Sequence, residues 1–517
     1  MEHTQHAGIH KDQQLKMSGD VAVTELVKKL SKMGFLVSAD VKDEDLSGFE
    51  TDVIASRIKE GRTFDSSLNV VDGAEILGIV EEIKLEKAPK PIEIIPKGEF
   101  RAYASEVDAQ YSITNKETEY SNGTVDGFVS YFRNRLERLR RLILQYRNTL
   151  NGMVANLESI KSYSSGREIT VLGIIASKIT TKNGNIMVVL EDETADAKVI
   201  FMNGSSQQAK ALFEKARHLV NDEVIAVTGK ISGPFVIAAE LVWPDVPIRE
   251  RKKVEEDIAI AFISDMHIGS KLFMERNFSN LVRWMNGDYA LREDLASKVK
   301  YLVVGGDVVD GIGVYPNQDR DLAILDIYAQ YKIFFNFMRM IPDYIQVFVI
   351  PGNHDAVQRA EPQPQLTSEL VGDFKADNVH IIPNPSFLSL HGVDILAYHG
   401  TSLDSVISAI PGTSYAKPEK AMAEILKRRH LSPIYGGNII VPSKNDNMVI
   451  DRIPDILHMG HVHKNCVANY HGVEIINSGT WQSTTDYQLS LGHVPTPCIV
   501  PVYEAKSGKF TTINFDK

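Results

Sequence analysis

Apolar residues at helical spacing open the chain. Residues 1–75 are predicted to form a small helical module, because one stripe of apolar side chains recurs there: Leu26, Val27, Leu30 and Met33. Gly34 follows at the position of a C-terminal helix cap, and a second short helix is expected around residues 53–58. We expect this module to dock on a protein and to carry no chemistry.

Between Ile83 and Gly123 the periodicity disappears. The segments EKAPKPIEIIPKGEF and YSITNKETEYSNG are polar or contain several prolines, a composition typical of linkers. Such a composition offers few apolar side chains to bury. We therefore predict a flexible linker over residues 76–123.

A basic amphipathic helix is predicted over residues 124–164. Its apolar stripe consists of Phe128, Phe132, Leu136, Leu139, Ile143 and Tyr146. Its other faces carry six arginines: Arg133, Arg135, Arg138, Arg140, Arg141 and Arg147. The arginines allow two interpretations, contact with phosphates or the solvated face of a helix docked on a neighbour. The second is favoured.

Short β-branched runs replace the helical pattern over residues 165–250. Asn183-Gly184 separates two of these runs and is a strong β-hairpin signal. Five short strands with one helix between the third and the fourth predict an OB-fold barrel. Some such barrels bind single strands and others dock proteins. Both roles stay open, because the sequence has no obvious row of aromatics for base stacking.

Apolar strands alternate with helical segments over residues 257–517, which predicts an α/β layer fold. Five of the apolar runs lead directly into polar motifs: Asp265-Met-His267, Asp307-Val-Val-Asp310, Asn353-His354-Asp355, His399-Gly400 and His461-Val-His463. Ligands of α/β sheets bind beyond the carboxyl ends of the strands. We therefore expect one sheet to bring all five loops to the same rim.

Charge and cysteine content narrow the class of protein. The 517 residues suggest about three domains, and 56 basic against 67 acidic residues give a net charge of −11. An acidic chain does not coat DNA non-specifically, so nucleic acid would be handled at a local site or with a basic partner. The two cysteines, Cys466 and Cys498, exclude a disulfide scaffold and favour a reducing cytosol. We expect neither a signal peptide nor a membrane span.

The five polar motifs are weak individually, and their coincidence at five strand ends is the informative feature. Imidazole suits zinc and transition metals, while carboxylate suits harder ions. Seven candidate ligands result: Asp265, His267, Asp307, Asn353, His399, His461 and His463. Seven are too many for one ion and suit two ions that share a bridging carboxylate. Such pairs of ions are typical of phosphoester hydrolysis.

The motifs DMH, GDVVDG, GNHD, YHG and GHVH resemble those of the calcineurin-like metallophosphoesterases, particularly the recombination-repair nuclease branch. The OB-like segment before them and the stretches GIGVYPNQDRDLAILDIYAQY, GNHDAVQRAEPQPQL and LKRRHLSPIYGG are similar to the small subunits of archaeal family D DNA polymerases. The likeness covers residues 165–517, and the N-terminal third matches in layout alone. It implies a multidomain chain in which a helical module and an all-β OB-fold domain precede an α/β metallophosphoesterase domain.

The resemblance also implies an activity and a set of roles. The activity is a proofreading 3′→5′ exonuclease with two divalent ions, Mn²⁺ first and Fe, Zn or Mg as further options. One ion would be held by Asp265, His267, Asp307 and His463, and the other by Asp307, Asn353, His399 and His461. His354 would protonate the leaving oxygen. Asp310 and Asp355 would orient ligands, although ordinary turn acids would give the same pattern.

The implied partners are DNA 3′ ends, the large polymerizing subunit in a heterodimer and, through that complex, a sliding clamp, all in the archaeal cytosol. Two other functions stay open. Phosphatases of the same superfamily usually place an arginine after the second-motif acid, whereas Gly311 follows Asp310 here. A catalytically silent scaffold of the polymerase would not need the complete ligand set.

Overall fold

The structure is a computed structural model in which the chain divides into two compact units, residues 1–95 and residues 96–517. The residues described are 21–33, 35–37, 54–56, 58, 70–71, 76, 79, 100–115, 118–120, 123–146, 154–252, 254–490 and 492–516. Among these residues, no helix has both the length and the apolar character needed to cross a membrane.

The first unit contains one long helix and a small sheet. Helix α1 is Val21–Lys32, and strands β1 (Leu36–Val37) and β2 (Val70–Val71) pair in parallel. Its core is formed by Leu26, Leu30, Phe35, Ile54, Ala55, Ile58, Val71 and Ile76. The predicted small helical module thus also contains two strands, which are too short to show an alternating pattern in the sequence. Residues 1–20 and Gly34 lie outside the described residues.

The second unit contains the remaining elements. Its strands are β3 Tyr111–Thr114, β4 Val154–Ala155, β5 Glu168–Thr180, β6 Ile186–Glu191, β7 Asp196–Phe201, β8 Val224–Ser232, β9 Phe235–Val242, β10 Ala259–Ile263, β11 Val299–Gly305, β12 Gln346–Ile350, β13 Val379–Ile381, β14 Ser386–Leu390, β15 Val393–Ala397, β16 Ile456–Met459, β17 Cys466–Tyr470, β18 Val473–Asn477, β19 Ile499–Glu504 and β20 Lys509–Asn514. Its α-helices are α2 Val125–Tyr146, α3 Gln207–Arg217, α4 Glu275–Met285, α5 Glu293–Ala296, α6 Ile327–Arg339, α7 Ser368–Val371, α8 Leu403–Ala409, α9 Pro418–Arg428 and α10 Asp486–Ser490. Short 3₁₀ turns occur at Tyr103–Glu106, Leu157–Ser162 and Gln318–Arg320.

Strands β5 to β9 form a closed five-stranded barrel. The strands pair in the order β5-β6-β7-β9-β8, and β5 also pairs with β8, which closes the barrel. Helix α3 lies between the third and fourth of these strands along the chain, as the sequence predicted. The predicted hairpin joins β5 and β6, where Gly184 adopts a φ of +73° that favours glycine.

Helix α2 is shorter than predicted and docks on the rest of the second unit. It ends at Tyr146, and the residues of β4 that were expected to extend it pair with β5 instead. Arg135 is fully buried, with its Nε 2.7 Å from Asp446 Oδ2. Arg138 pairs with Asp451. These contacts support docking over phosphate contact for both arginines, because their guanidinium groups already have carboxylate partners.

The predicted flexible linker over residues 76–123 was wrong for the part that the structure describes. Strand β3 pairs antiparallel with β14, and the 3₁₀ turn Tyr103–Glu106 packs against β11 with Ala104 fully buried. A four-residue strand with one apolar side chain facing the core, Ile113, is too short to reveal itself by periodicity.

Two six-stranded sheets lie face to face and carry the five polar motifs. One has the order β13-β12-β11-β10-β19-β20, and the other has the order β17-β18-β16-β15-β14-β3. The layer between them contains side chains from both sheets, among them Phe262, Val303, Ile395 and Ile476. Helices α4 and α6 cover the outer face of the first sheet, and α8 and α9 cover that of the second.

The expectation that a single sheet brings the five loops together was therefore wrong. Three motifs follow β10, β11 and β12, which are parallel neighbours in the first sheet. The other two follow β15 and β16, which are parallel neighbours in the second sheet. The sequence shows strand ends, but the assignment of strands to sheets depends on pairing between distant segments.

A buried ion pair fixes the barrel to the sandwich. Glu223, just before β8, and Arg428, at the end of α9, are each 1 % exposed at the side chain and lie 2.6 Å apart, from Oε2 to Nε. Trp243 Nε1 donates to the same carboxylate at 3.1 Å. Arg428 also pairs with Glu424 on its own helix. Loss of Arg428 would leave the buried Glu223 carboxylate without its cation, so the pair helps to hold the two domains in one arrangement.

Candidate metal centre

The polar motifs converge where the five strands end. Asp265 and His267 follow β10, Asp307 follows β11, Asn353 and His354 follow β12, His399 follows β15, and His461 and His463 follow β16. All seven sequence-predicted ligands join in one chain of contacts, with successive atoms 3.0 to 3.9 Å apart. The side chains that carry the pattern in the sequence are thus brought together by the fold.

Several of these residues have an unusual backbone. Asp265, His267, Asp307, His461 and His463 have φ between 50° and 67°, in the left-handed region that non-glycine residues rarely adopt. Such strain is found at functional sites, where the surrounding structure enforces it. The same region of φ also occurs in the hairpin turns at His391 and His471, so what marks the site is that five such residues lie together in it.

Glycines let the backbone approach the two central carboxylates. A Cβ atom added at Gly352 would lie 2.2 Å from Asp307 Oδ1, and one added at Gly460 would lie 2.3 Å from Asp265 Oδ2. Any side chain at either position would displace a carboxylate. The glycines of the GNHD and GHVH motifs are thus part of the site's construction.

The first group of side chains surrounds Asp265. His463 Nε2 lies 3.4 Å from Asp265 Oδ1 and 3.0 Å from His267 Nε2. His267 Nε2 lies 4.0 Å from Asp265 Oδ1. These three residues form one of the groups whose ligand atoms are close enough to hold a metal ion.

The second group surrounds Asp307. His399 Nε2 lies 3.3 Å from Asp307 Oδ2, and Asn353 Oδ1 lies 3.0 Å from both His399 Nε2 and His461 Nδ1. Asp307 Oδ2 is also 3.9 Å from His267 Nε2, which belongs to the first group. Asp307 therefore lies between the two groups, where a bridging ligand would have to be.

The charges of this cluster fit a bound cation. Asp265 and Asp307 are 0 % and 1 % exposed. Within the described part of the chain, their ion-pair partners are histidines, not lysine or arginine. Buried carboxylates need a positive partner. Oxygen and imidazole donors at these distances suit a divalent transition-metal ion or zinc.

The pKa values show how strongly the carboxylates act on the imidazoles. Burial lowers the pKa of His267, but the hydrogen bond and charge of Asp310, with Asp307 and Asp265, raise it to about 9. Burial also lowers the pKa of His399, and Asp307 reverses this and raises it to about 10. The carboxylates thus favour positive charge on both rings, and a metal ion that binds there has to displace the ring protons.

Groups outside the cluster orient the imidazole rings. His267 Nδ1 lies 2.9 Å from Asp310 Oδ1, and His399 Nδ1 lies 2.8 Å from the carbonyl oxygen of Gly305. Each contact takes the N–H of one ring nitrogen, so the other nitrogen directs its lone pair towards the cluster once a metal ion displaces its proton. Asp310 itself accepts from Gln318 Nε2 at 3.0 Å.

Asp355 accepts hydrogen bonds from two backbone N–H groups and one tyrosine hydroxyl. Its Oδ2 accepts from the backbone N–H of Gly352 at 2.8 Å and of Val308 at 3.3 Å, and its Oδ1 accepts from Tyr331 Oη at 3.1 Å. Burial, followed by the charge of Asp307, raises its pKa to about 7. The structure thus places Asp355 between the loops after β11 and β12, where it ties one backbone to the other.

His354 is oriented by two contacts. Its Nδ1 lies 2.8 Å from the carbonyl oxygen of Asp310, and its backbone N–H donates to Asp307 Oδ1 at 2.8 Å. The structure also groups His354 with His267 and Asp307 within the range of metal ligands. The geometry alone thus allows His354 to act as a ligand as well as a proton donor.

Two residues of the surroundings were missed by the sequence analysis. Asp404, on α8, has its Oδ2 3.0 Å from His461 Nε2, and Gln488, on α10, has its side-chain amide 2.8 Å from His463 Nδ1. Neither residue follows a strand, and both contact histidines more than 20 positions away. The one available signal was Asp404 itself, an acid five residues after His399. The short helix α8 brings this acid back to the site.

Known proteins match the part of the chain that contains the candidate metal centre. The family model of the B subunits of DNA polymerases alpha and epsilon matches residues 260–467, a span that contains all five polar motifs. Among solved structures, an archaeal phosphodiesterase matches 50 % of this chain and 99 % of its own at 14 % identity, with a TM-score of 0.25.

Curated relatives extend the match over most of the chain. The DNA polymerase II small subunit of Methanocaldococcus jannaschii is 40 % identical over 75 % of this chain, and the match spans 65 % of that relative's length. The small subunit of Archaeoglobus fulgidus is 39 % identical over 85 % of this chain and 89 % of its own. The small subunit of Methanothermobacter thermautotrophicus is 36 % identical over 93 % and 98 %. The chain therefore belongs to the family of small subunits of archaeal DNA polymerase II, which is the family D polymerase.

Proposed function

We propose that the chain is a metal-dependent 3′→5′ exonuclease that proofreads for a two-subunit DNA polymerase. The observation that carries the proposal is the pair of buried carboxylates, Asp265 and Asp307, whose ion-pair partners in the described residues are histidines. A scaffold would gain nothing from five polar side chains placed around two buried charges.

In this proposal Asp265, His267, Asp307 and His463 hold one ion, and Asp307, Asn353, His399 and His461 hold the other. Two such ions, when bound, stabilise the negative charge on the attacking and leaving oxygens of a phosphodiester. The mixed nitrogen and oxygen donors suit Mn²⁺ first, with Fe, Zn or Mg as alternatives. The central position of Asp307 supports its role as the bridge.

His354 acts on the leaving group. Water adds to the phosphorus and gives up one proton to the solvent, the bond between phosphorus and O3′ breaks, and protonated His354 passes a proton from Nε2 to O3′. His354 then regains a proton from the solvent. His354 Nδ1 donates to the carbonyl oxygen of Asp310, so Nε2 is the nitrogen that exchanges a proton. Asp310 orients His267 and Asp355 ties the loops that carry Asp307 and Asn353.

A large subunit supplies the polymerizing site and the grip on DNA. The net charge of −11 supports this division of labour, because an acidic chain holds duplex DNA poorly by itself. The barrel is the proposed contact: Ile179 and Met202, at one end of it, are 50 % and 46 % exposed. Apolar side chains exposed together are typical of a protein interface. DNA 3′ ends and, through the complex, a sliding clamp complete the proposed partners.

Two measurements test the enzyme. The purified chain is expected to contain about two Mn, Fe or Zn ions, or to bind them when added, and to shorten end-labelled single-stranded DNA from its 3′ end with Mn²⁺. A chain that binds no metal and leaves DNA intact would be a silent scaffold. A chain that cleaves phosphomonoesters but leaves DNA intact would be a phosphatase.

The interface is tested by substitution instead of deletion. Removal of residues 165–250 would break the buried pair of Glu223 and Arg428, so a deletion would disturb the fold as well as the proposed contact. The double variant Ile179→Asp/Met202→Asp is expected to fold, to keep its nuclease activity and to lose co-purification with the large subunit. A variant that still co-purifies would contradict the barrel contact.

A further inference from the structure

A long ordered loop, residues 311–325, borders the candidate metal centre. It connects the motif after β11 to α6 and contains one 3₁₀ turn, Gln318–Arg320. Gln318 Nε2 donates to the carbonyl oxygen and to Oδ2 of Asp310 at 2.8 and 3.0 Å. Arg359 donates to the carbonyl oxygens of Gly313 and Val314 at 3.0 Å. The loop is therefore fixed to the same carboxylate that orients His267.

Tyr315 presents an aromatic ring from this loop beside His354. It is 38 % exposed, and its ring centroid lies 6.3 Å from that of the His354 imidazole, with the planes inclined by 60°. Its hydroxyl donates to Asp321 Oδ2 at 3.1 Å, which fixes the ring at its outer end. Ile312, on the same loop, is 48 % exposed. An ordered aromatic ring thus stays accessible at the edge of the site.

We propose that Tyr315 is a stacking platform for the base of the nucleotide that carries the leaving oxygen. The inference rests on the proposed nuclease function and specifies its substrate. His354 gives its proton to O3′, and in cleavage from a 3′ end that oxygen belongs to the penultimate nucleotide. The ring next to His354 is therefore positioned for the penultimate base. Stacking on an aromatic side chain tolerates any sequence, because every base has a π face.

This role selects unpaired ends. A penultimate base that stacks on Tyr315 has left the stack and the pairing of a duplex, so at least two terminal nucleotides must be open. Single-stranded ends are already unpaired, and mismatched ends open more easily than paired ones. The platform would therefore direct hydrolysis to the ends that a polymerase needs to correct, without reading their sequence.

Binding in a metal-free buffer tests the platform apart from turnover. The full chain is titrated into 5′-labelled single-stranded oligonucleotides with EDTA, and the Kd is measured by fluorescence anisotropy. Tyr315→Ala is expected to weaken binding by about 5- to 150-fold, the range of one base stacked on an aromatic ring. Tyr315→Phe is expected to bind as the wild type does, because the ring remains.

Abasic oligonucleotides locate the contact. With an abasic penultimate nucleotide, wild type and Tyr315→Ala are expected to bind equally, whereas an abasic terminal nucleotide is expected to preserve their difference. Tyr103→Ala is the matched control: Tyr103 is 39 % exposed and lies beside Ala104, whose N–H donates to Ser297, just before the amino end of β11 and away from the motif loops. This control is expected to bind all oligonucleotides normally.

Three results would overturn the inference. Tyr315→Ala could bind every oligonucleotide as the wild type does, or it could lose affinity equally for all of them, which would indicate a structural role. It could also keep DNA binding and lose the large subunit, which would make the loop a protein interface. The proposed nuclease function fails on a different result, wild-type protein that leaves DNA intact with Mn²⁺, and the EDTA titration is independent of that outcome.

Discussion

His461 Nε2 lies 3.0 Å from Asp404 Oδ2, while Nδ1 of the same ring lies 3.0 Å from Asn353 Oδ1. A neutral imidazole has one N–H, and the carboxylate takes it at Nε2, so Nδ1 directs its lone pair towards the cluster. Tyr415 Oη donates to the other oxygen of Asp404 at 2.9 Å. Asp404, a partly exposed residue on α8, thus determines which nitrogen of His461 can bind a metal ion.

Asp404→Asn is expected to weaken metal binding at the second ion position. The amide has a neutral oxygen, and loss of a carboxylate behind a metal-binding histidine costs about 10- to 100-fold in affinity. Nuclease activity should fall at limiting Mn²⁺ and recover at excess Mn²⁺. Asp294→Asn, at an exposed aspartate on α5, is the matched control. Unchanged metal affinity in the Asp404 variant, measured by calorimetry, would contradict the role.

Asp307→Asn is expected to abolish nuclease activity with the fold retained. Asp307 lies between both groups of ligands, so the loss of its charge affects both ions. Residual activity should be below about a tenth of that of the wild type. This corresponds to an increase of more than about 1.4 kcal/mol in the activation free energy. Thermal melting reports on the fold. A folded variant with higher residual activity would refute the bridging role.

His354→Ala and His461→Ala are expected to fail in different ways. A general acid contributes about 10²–10⁴-fold in rate, so the first variant should keep both ions and lose most turnover. The second should lose metal and activity together. Metal content by mass spectrometry separates the two cases. Release of an ion from His354→Ala would make His354 a ligand, which its distances to His267 and Asp307 also permit.

Removal of residues 1–95 is expected to leave the second unit folded, active and bound to the large subunit. The cut coincides with the boundary between the two compact units. Removal of residues 1–120 should instead lower the melting temperature, because it takes β3 from the edge of its sheet and exposes β14. Equal melting temperatures for the two truncations would show that β3 contributes little.

Acid is expected to destabilise the contact between α2 and the sandwich through His430. Its Nε2 lies 2.9 Å from Asp446 Oδ2, and its Nδ1 accepts from the N–H of Ser432 at 3.0 Å. Burial, followed by the charge of Arg135, lowers its pKa from 6.5 to about 4. The unfolded chain takes up the proton first, so this contribution is complete above pH 6.5 and is lost as the pH falls towards 4.

The size of this effect is at most about 3 kcal/mol in the free energy of unfolding. Thermal melts near pH 7 and near pH 5 should show a larger decrease for wild type than for His430→Gln. Glutamine keeps a donor for Asp446 and does not titrate. Equal decreases would mean that His430 does not control the acid response.

The elements with a long or repeated pattern could be predicted from the sequence. The five barrel strands, the hairpin at Asn183-Gly184 and a helix carrying Leu136, Leu139 and Ile143 were predicted, because alternation, turn chemistry and helical spacing are local properties. The linker prediction failed at β3, since four residues with one partly buried apolar side chain carry almost no pattern.

The sequence by itself determined which side chains could carry chemistry, because aspartate, asparagine and histidine followed five apolar runs. The tertiary structure alone decided how they meet. It divided the five strands between two sheets, paired Asp404 with His461 and buried Arg135 against Asp446. The position where a strand ends can be recognised from the local sequence. These contacts join residues 57 to 311 positions apart, so they depend on how the whole unit packs.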